Sequence, residues 1–222
     1  MSTAPGSCSH CSCRPSMTAT SSGAACSGVR PPGSVSPYSA RRESAARLAD
    51  APVAEVVPRD GVLRYDEGVF IGYRAWERAG TAPAYPFGHG LGYTDWAYED
   101  AFFAPAEGGP AGDGGPDVLG TLTVRLRNTG DRPGREVVQV YLAAPAGEDP
   151  AVGRPARVLA GFLSVELAAG AVTQTRIALA RRAAQIWDPS EGDWRTLAGT
   201  YTAEVARSVA DRRLTVPVAV NG

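Results

Sequence analysis

The sequence predicts an all-β fold, a β-sandwich of seven or eight short strands occupying residues 95–222. Three observations predict it. Residues 119–127 alternate strictly, with Leu122, Val124 and Leu126 on one face and Thr121, Thr123, Arg125 and Arg127 on the other, the two-residue period of a half-buried strand. Two further runs, 136–143 and 199–206, keep the same period. Between the runs stand clusters of Gly, Pro, Asn and Asp, residues that accept turn dihedrals and interrupt regular structure.

Each element follows in order. Trp96, Tyr98 and Phe102 open the first strand, and the Gly- and Pro-rich stretch 107–116 is a loop. After the alternating run 119–127, Asn128-Thr129-Gly130 and Pro133-Gly134 turn the chain into 136–143. There Val138, Val140 and Leu142 share one face, opposite Val137, Gln139 and Tyr141. A loop at 145–155 leads to a strand at 158–163, whose Leu159 and Phe162 are assigned to the core. Leu167-Ala168-Ala169-Gly170 turns the chain again, into 172–179, with Val172, Ile177 and Leu179 expected inward. Ile186-Trp187-Asp188 and Trp194-Arg195 flank a polar loop, the run 199–206 alternates, and 214–220 supplies the last strand. Short strands at this spacing imply a sandwich of the immunoglobulin or fibronectin type III kind.

Upstream the character differs. Residues 1–45 are rich in Ser, Ala, Gly, Pro and Arg without apolar periodicity and are expected to be a disordered low-complexity tail. Residues 46–94 form a second segment, in which 62–71 reads as a short strand interrupted by Asp66-Glu67-Gly68 and Gly72-Tyr73-Arg74-Ala75-Trp76 runs toward a turn.

Composition bounds the partners. With 22 basic and 23 acidic residues the net charge is -1, which gives no electrostatic reason to expect nucleic acid or an anionic membrane. No apolar run approaches the roughly 18 residues of a bilayer span, and the first residues lack the apolar segment of a secretory signal, so the location is cytoplasmic by default. Cys8, Cys11, Cys13 and Cys26 all fall in the first segment. With His10 they offer soft ligands, but the surrounding Ser, Pro and Gly supply no apolar framework to hold a zinc knuckle. Neither a metal nor a cofactor is expected.

Two strings near the junction carry a family resemblance. Tyr65-x-Glu67-Gly68-x-x-x-Gly72-Tyr73-Arg74 and Tyr85-Pro86-Phe87-Gly88-His89-Gly90-Leu91-Gly92-Tyr93-Thr94 resemble the passage in family 3 glycoside hydrolases, chiefly bacterial β-glucosidases, where an α/β domain hands over to a C-terminal fibronectin type III-like domain. Leu126 to Gly130, Gly134 to Tyr141, Leu159-Ala160-Gly161-Phe162, Ile186-Trp187-Asp188 and Gly199-Thr200-Tyr201 resemble that domain and recur in its order. The resemblance implies that 46–94 is a remnant of the α/β domain and 95–222 the fibronectin-like one. It also implies partnership with the catalytic domains of a family 3 glycosidase. Val69, Phe70, Ile71 and Trp76 should then be left exposed, and proteolysis should leave a core starting near residue 95. The polar first 45 residues stand where the family would supply apolar strands and helices, so loss of the upstream frame is expected; the upstream DNA read in three frames tests it.

No residue of the chain is assigned a catalytic role. Hydrolysis with retention needs two carboxyl groups about 5 to 5.5 Å apart, and the family's nucleophile belongs to a TIM barrel of about 250 residues, more than the whole chain. Asp66 and Glu67 are adjacent, so in a strand they point to opposite faces. His89, between two glycines, lacks a nucleophile and an orienting acid at recognisable spacing and reads as a structural imidazole at the junction. The string around it is not a nucleotide loop, because Pro86 precedes it and no apolar helix follows. Of the four tryptophans, Trp194 beside the polar loop is the candidate sugar contact. The expected function is therefore an accessory region of a β-glucosidase-like enzyme, without turnover of its own. The alternatives are a free-standing carbohydrate-binding or protein-interaction sandwich and, from the N-terminal cysteines, a metal-regulated interaction protein.

Overall fold

The structure, a computed structural model, describes residues 58–64, 67–80, 82–106, 117–145 and 153–221, together with the two-residue strand β1 (Ala40–Arg41). Cys8, His10, Cys11, Cys13, Cys26, Asp66 and the remainder of the 1–45 tail lie outside the described residues.

Among the described residues, seven strands make two antiparallel sheets. β3 (Trp96–Pro105), β4 (Val118–Asn128) and β7 (Val172–Ala180) form one in the order β3-β4-β7. β5 (Gly134–Ala143), β6 (Arg157–Leu167), β10 (Gly199–Ser208) and β11 (Asp211–Val220) form the other in the order β11-β10-β5-β6. The inward residues of both sheets close one core: Leu122, Val124 and Leu126 from β4, Val138, Val140 and Leu142 from β5, Ile177 and Leu179 from β7, with Tyr201, Ala203, Val205 and Val218. The sequence reading of an all-β sandwich holds. A short hairpin, β8 (Gln185–Asp188) with β9 (Asp193–Thr196), is set off from both sheets behind a 3-10 turn at Arg181–Ala184.

Three inward assignments change, each for a register reason. Val172 is exposed because it has the opposite parity to Ile177 and Leu179, so Thr173 and Thr175 occupy the inward positions instead. Phe162 is 66% exposed. Opposite Val140 and Tyr141, β6 carries Ala160 as an extra residue: Val140 pairs with Gly161, whereas Tyr141 pairs with Leu159. That bulge switches the alternation, placing Leu159 and Phe162 on the same outer face as Tyr141 and Gln139. Leu159 is therefore in a core, but in a second one, with Tyr73, Tyr141, Ala206 and Phe87.

Among the described residues of 62–71, which exclude Tyr65 and Asp66, the expected strand does not form. Arg59 and Val62 bridge across Asp60 and Gly61, both at positive φ, and the Phe70 amide donates to the Glu67 carbonyl at 3.0 Å across Gly68. Gly72, at φ 56, then admits a short helix, α1 (Tyr73–Arg78). Val69 and Ile71 are exposed as expected; Phe70 and Trp76 are half-buried, with the Arg78 guanidinium 4.1 Å from the centre of the Phe70 ring. β2 (Pro83–Tyr85) pairs antiparallel with β1.

Candidate functional site

The outer face of β5 is where the upstream segment meets the sandwich. Strict alternation would leave Gln139 and Tyr141 in solvent, yet both are buried, about as deeply as the inward Val140 between them. The cover comes from α1 and the turn after β2. Tyr73 lies 4.8 Å from Phe87 and edge-on to Tyr141 at 6.0 Å, ring centre to ring centre. The Tyr73 hydroxyl accepts the Leu159 amide at 3.0 Å, and the Val209 amide donates to the Phe87 carbonyl at 3.0 Å.

Gln139 is the polar centre of this contact. Its Nε2 donates to the carbonyls of Gly88 at 3.1 Å and Arg207 at 2.5 Å, while its Oε1 accepts from the Tyr141 hydroxyl at 2.7 Å. A buried amide so satisfied carries no orphan polar atom. Gly88 sits at φ 81, and a Cβ placed there would collide with the Gln139 carboxamide. The position therefore demands glycine twice over, for its dihedral and for the close approach. Burial pushes the Tyr141 hydroxyl well above the ordinary tyrosine range, with Tyr73 adding to the effect.

Two further ties flank it. Arg157 lies between Glu77 of α1 and Glu204 of β10, accepted by Glu77 and, at 2.7 Å, by Glu204; Arg212 stands 3.7 Å from Glu204. Burial raises the Glu77 pKa, and the Arg157 charge pulls it back. Thr94, at the end of the junction, donates to Asn128 Oδ1 at 2.5 Å, and the fully buried Asn128 donates in turn to the carbonyls of Arg132 and Leu167.

Between these ties lies an open cleft of about 310 Å³, lined by His89, Gly92, Asp95, Arg135, Glu136, Arg207 and Asp211 among others. Its buried carboxylate, Glu136, lies 3.0 Å from Arg207 Nε and accepts the Val137 amide at 3.0 Å. Burial nevertheless raises its pKa, against the opposing Arg207 charge. His89 occupies the rim, its amide bonded to the Pro86 carbonyl at 2.9 Å and its ring 5.6 Å from that of Tyr85. Among the described residues no three His, Cys, Asp or Glu side chains are placed to hold a metal, and no helix is long and apolar enough to cross a membrane.

Trp194 lies elsewhere, on the β8–β9 hairpin directly opposite Trp187. The sequence did not single out Gln139, Tyr73 or Arg157. The one available signal was a glutamine on the nominally wet face of β5 between Val137 and Tyr141, an ordinary pattern until its cover is known.

Comparison with known proteins adds the lineage. Residues 136–209 match the fibronectin type III-like domain family. A probable β-glucosidase D of Aspergillus flavus is 39% identical over 160 residues, covering 68% of this chain and 21% of its own length. A probable β-glucosidase M of Emericella nidulans is 35% identical, covering 66% and 20%. Among solved structures, the family 3 β-glucosidase of Bifidobacterium adolescentis superposes with TM-score 0.69 at 30% identity over 82% of this chain and 25% of its own. A β-glucosidase of Streptomyces venezuelae, solved with D-glucose, gives 0.68 at 30% over 77% and 20%. The chain thus spans about a fifth of the length of the curated relatives it matches.

Proposed function

We propose, from the premise that this chain belongs with the C-terminal, fibronectin type III-like region of the family 3 β-glucosidases, that it is a docking region for the catalytic part of such a glycosidase and has no glycoside hydrolysis of its own. In the relatives the matched region is one part of a much longer chain. The observation that carries the reading is the junction segment itself. It is bonded to β5 through Gly88 and Gln139, and to β6 through Tyr73 with Leu159 and Glu77 with Arg157. The same segment exposes Val69, Ile71, Tyr85, Leu91 and Tyr93 to solvent, and Phe162 is exposed on the same sheet face as Gln139. Five exposed apolar side chains on one anchored segment support an interaction site.

The test is association in solution. The full chain is mixed with the remaining part of the Aspergillus flavus relative, outside the matched region, and followed by size-exclusion chromatography with light scattering. Co-elution is expected, weakened by Ile71→Glu or Leu91→Glu, each of which puts a charge into the apolar contact. Separate elution of the two, or co-elution indifferent to both substitutions, overturns the docking reading.

A further inference from the structure

We propose that the β8–β9 hairpin is a carbohydrate-stacking site, with the Trp187 ring as the platform for one pyranose unit of a neutral sugar chain. Trp187 and Trp194 are a directly opposed cross-strand pair, so their side chains share one face of the ribbon. Their ring centres lie 5.4 Å apart at an interplanar angle of 65°, the edge-to-face arrangement that fixes one ring against another. Trp194 is held further by the Arg182 guanidinium, 3.5 Å from its ring centre. That cation covers one Trp194 face, which makes Trp187, at 49% against 41% exposure, the more open ring.

The next register pair on the same face is Gln185 opposite Thr196, with Gln185 Nε2 donating to Thr196 Oγ1 at 3.2 Å. The face therefore joins a flat aromatic surface to a neutral amide and hydroxyl. A pyranose ring has the complementary make-up, an apolar face of C–H bonds rimmed by hydroxyl groups that both donate and accept.

Size and charge choose between occupants. Aromatic side chains of this kind cover 150 to 250 Å² each when buried, so two half-exposed rings offer roughly 200 Å², well short of the ~800 Å² per partner of a specific protein interface. A nucleobase would also stack. The polar pair sharing the face is neutral, however, and along 181–196 Arg181, Arg182 and Arg195 are balanced by Asp188, Glu191 and Asp193, with Arg195 3.4 Å from Asp188, so the hairpin carries no excess of positive charge to hold a phosphate backbone. The hairpin is carried by the turn at Arg181–Ala184, which touches β4 and β6, so the site does not depend on the docking face of the junction.

Calorimetric titration of the full chain with cellohexaose, laminarihexaose, xylohexaose and an oligothymidylate tests the assignment. Saturable binding to at least one sugar is expected. Trp187→Ala should weaken it about tenfold or more, while Trp187→Tyr, which keeps a ring, should hold within about threefold. An unchanged melting temperature in Trp187→Ala, as expected for a residue outside the core, shows the loss to be local. No saturable binding to any sugar, binding indifferent to Trp187→Ala, or tighter binding of the oligothymidylate overturns the proposal. Only the choice of glucose-based probes rests on the family reading; binding of xylohexaose alone supports the platform while counting against a glucoside role.

Discussion

Glu136 stands at the inward parity of β5, two positions before Val138, and is buried at the end of the sandwich beside Arg207. An ion pair alone would lower a carboxyl pKa, but here burial outweighs it and the group titrates above the ordinary glutamate value of 4.5. The sign follows directly: a raised folded pKa means that the folded chain binds more protons than the unfolded one above pH 4.5, so this contribution to stability falls as pH rises through the folded pKa. Glu136→Gln mimics the protonated form at every pH. The melting-temperature difference, variant minus parent, should therefore grow as pH is raised from about 4.5 to 7 in paired thermal melts. Contributions from Glu77, also raised, and from Glu99, lowered by its bonds to Arg127 and Arg125, cancel in that difference. A gap that stays flat or shrinks would mean that the Arg207 pair outweighs burial after all.

At the level of elements, the turn from Pro86 to His89 and strand β5 act as one unit, since the Gly88 carbonyl, Gln139, Tyr141 and the Arg207 carbonyl form a continuous chain of hydrogen bonds. Gly88→Ala forces a Cβ into the Gln139 carboxamide at a backbone angle that L-residues avoid; mechanisms of that class cost about 1–3 kcal/mol. Hydrogen exchange locates the damage. The Leu159 and Val209 amides, bonded to Tyr73 and Phe87, should exchange faster, and the amides linking β4 to β7 should not. Uniform acceleration, or none, would separate the turn from the sheet. The same coupling explains what sequence reading could and could not reach. β4 was legible because Leu122, Val124 and Leu126 point to one core and the residues between them point away from it. β5 was legible on its inner face only, because the cover of Gln139 and Tyr141 is supplied by residues distant in sequence. Phe162 was misplaced because one extra residue, Ala160, reverses the alternation; its one local mark is Gly161, a lone glycine inside a strand, which suggests a bulge without saying which way the register shifts. The helix at Tyr73–Arg78 escaped notice because a single turn between glycines has too few residues for a 3.6-residue period to register.

For the whole molecule, the question is whether a sandwich with an anchored junction can cleave a glycosidic bond unaided. Both stereochemical routes require two carboxyl groups facing one another across the bond, about 5 to 5.5 Å apart for retention and about 6.5 to 9.5 Å for inversion. Three of the carboxylates at the junction are committed otherwise: Glu77 and Glu204 share Arg157, and Glu136 is paired with Arg207. Each faces a guanidinium that fastens the upstream segment or the cleft wall to the sandwich, an arrangement that joins elements and does not divide acid from base roles. His89, which lines the cleft together with Asp95 and Asp211, has Tyr85 for its ring neighbour. The whole chain of 222 residues is also shorter than the roughly 250 of a TIM barrel. The purified chain should accordingly release no aglycone from an aryl β-glucoside above the buffer rate, across pH 4 to 8. Hydrolysis that is clear in the parent and abolished by Glu67→Gln, a substitution in the turn before α1, would place a working carboxylate on the junction and reverse the docking assignment.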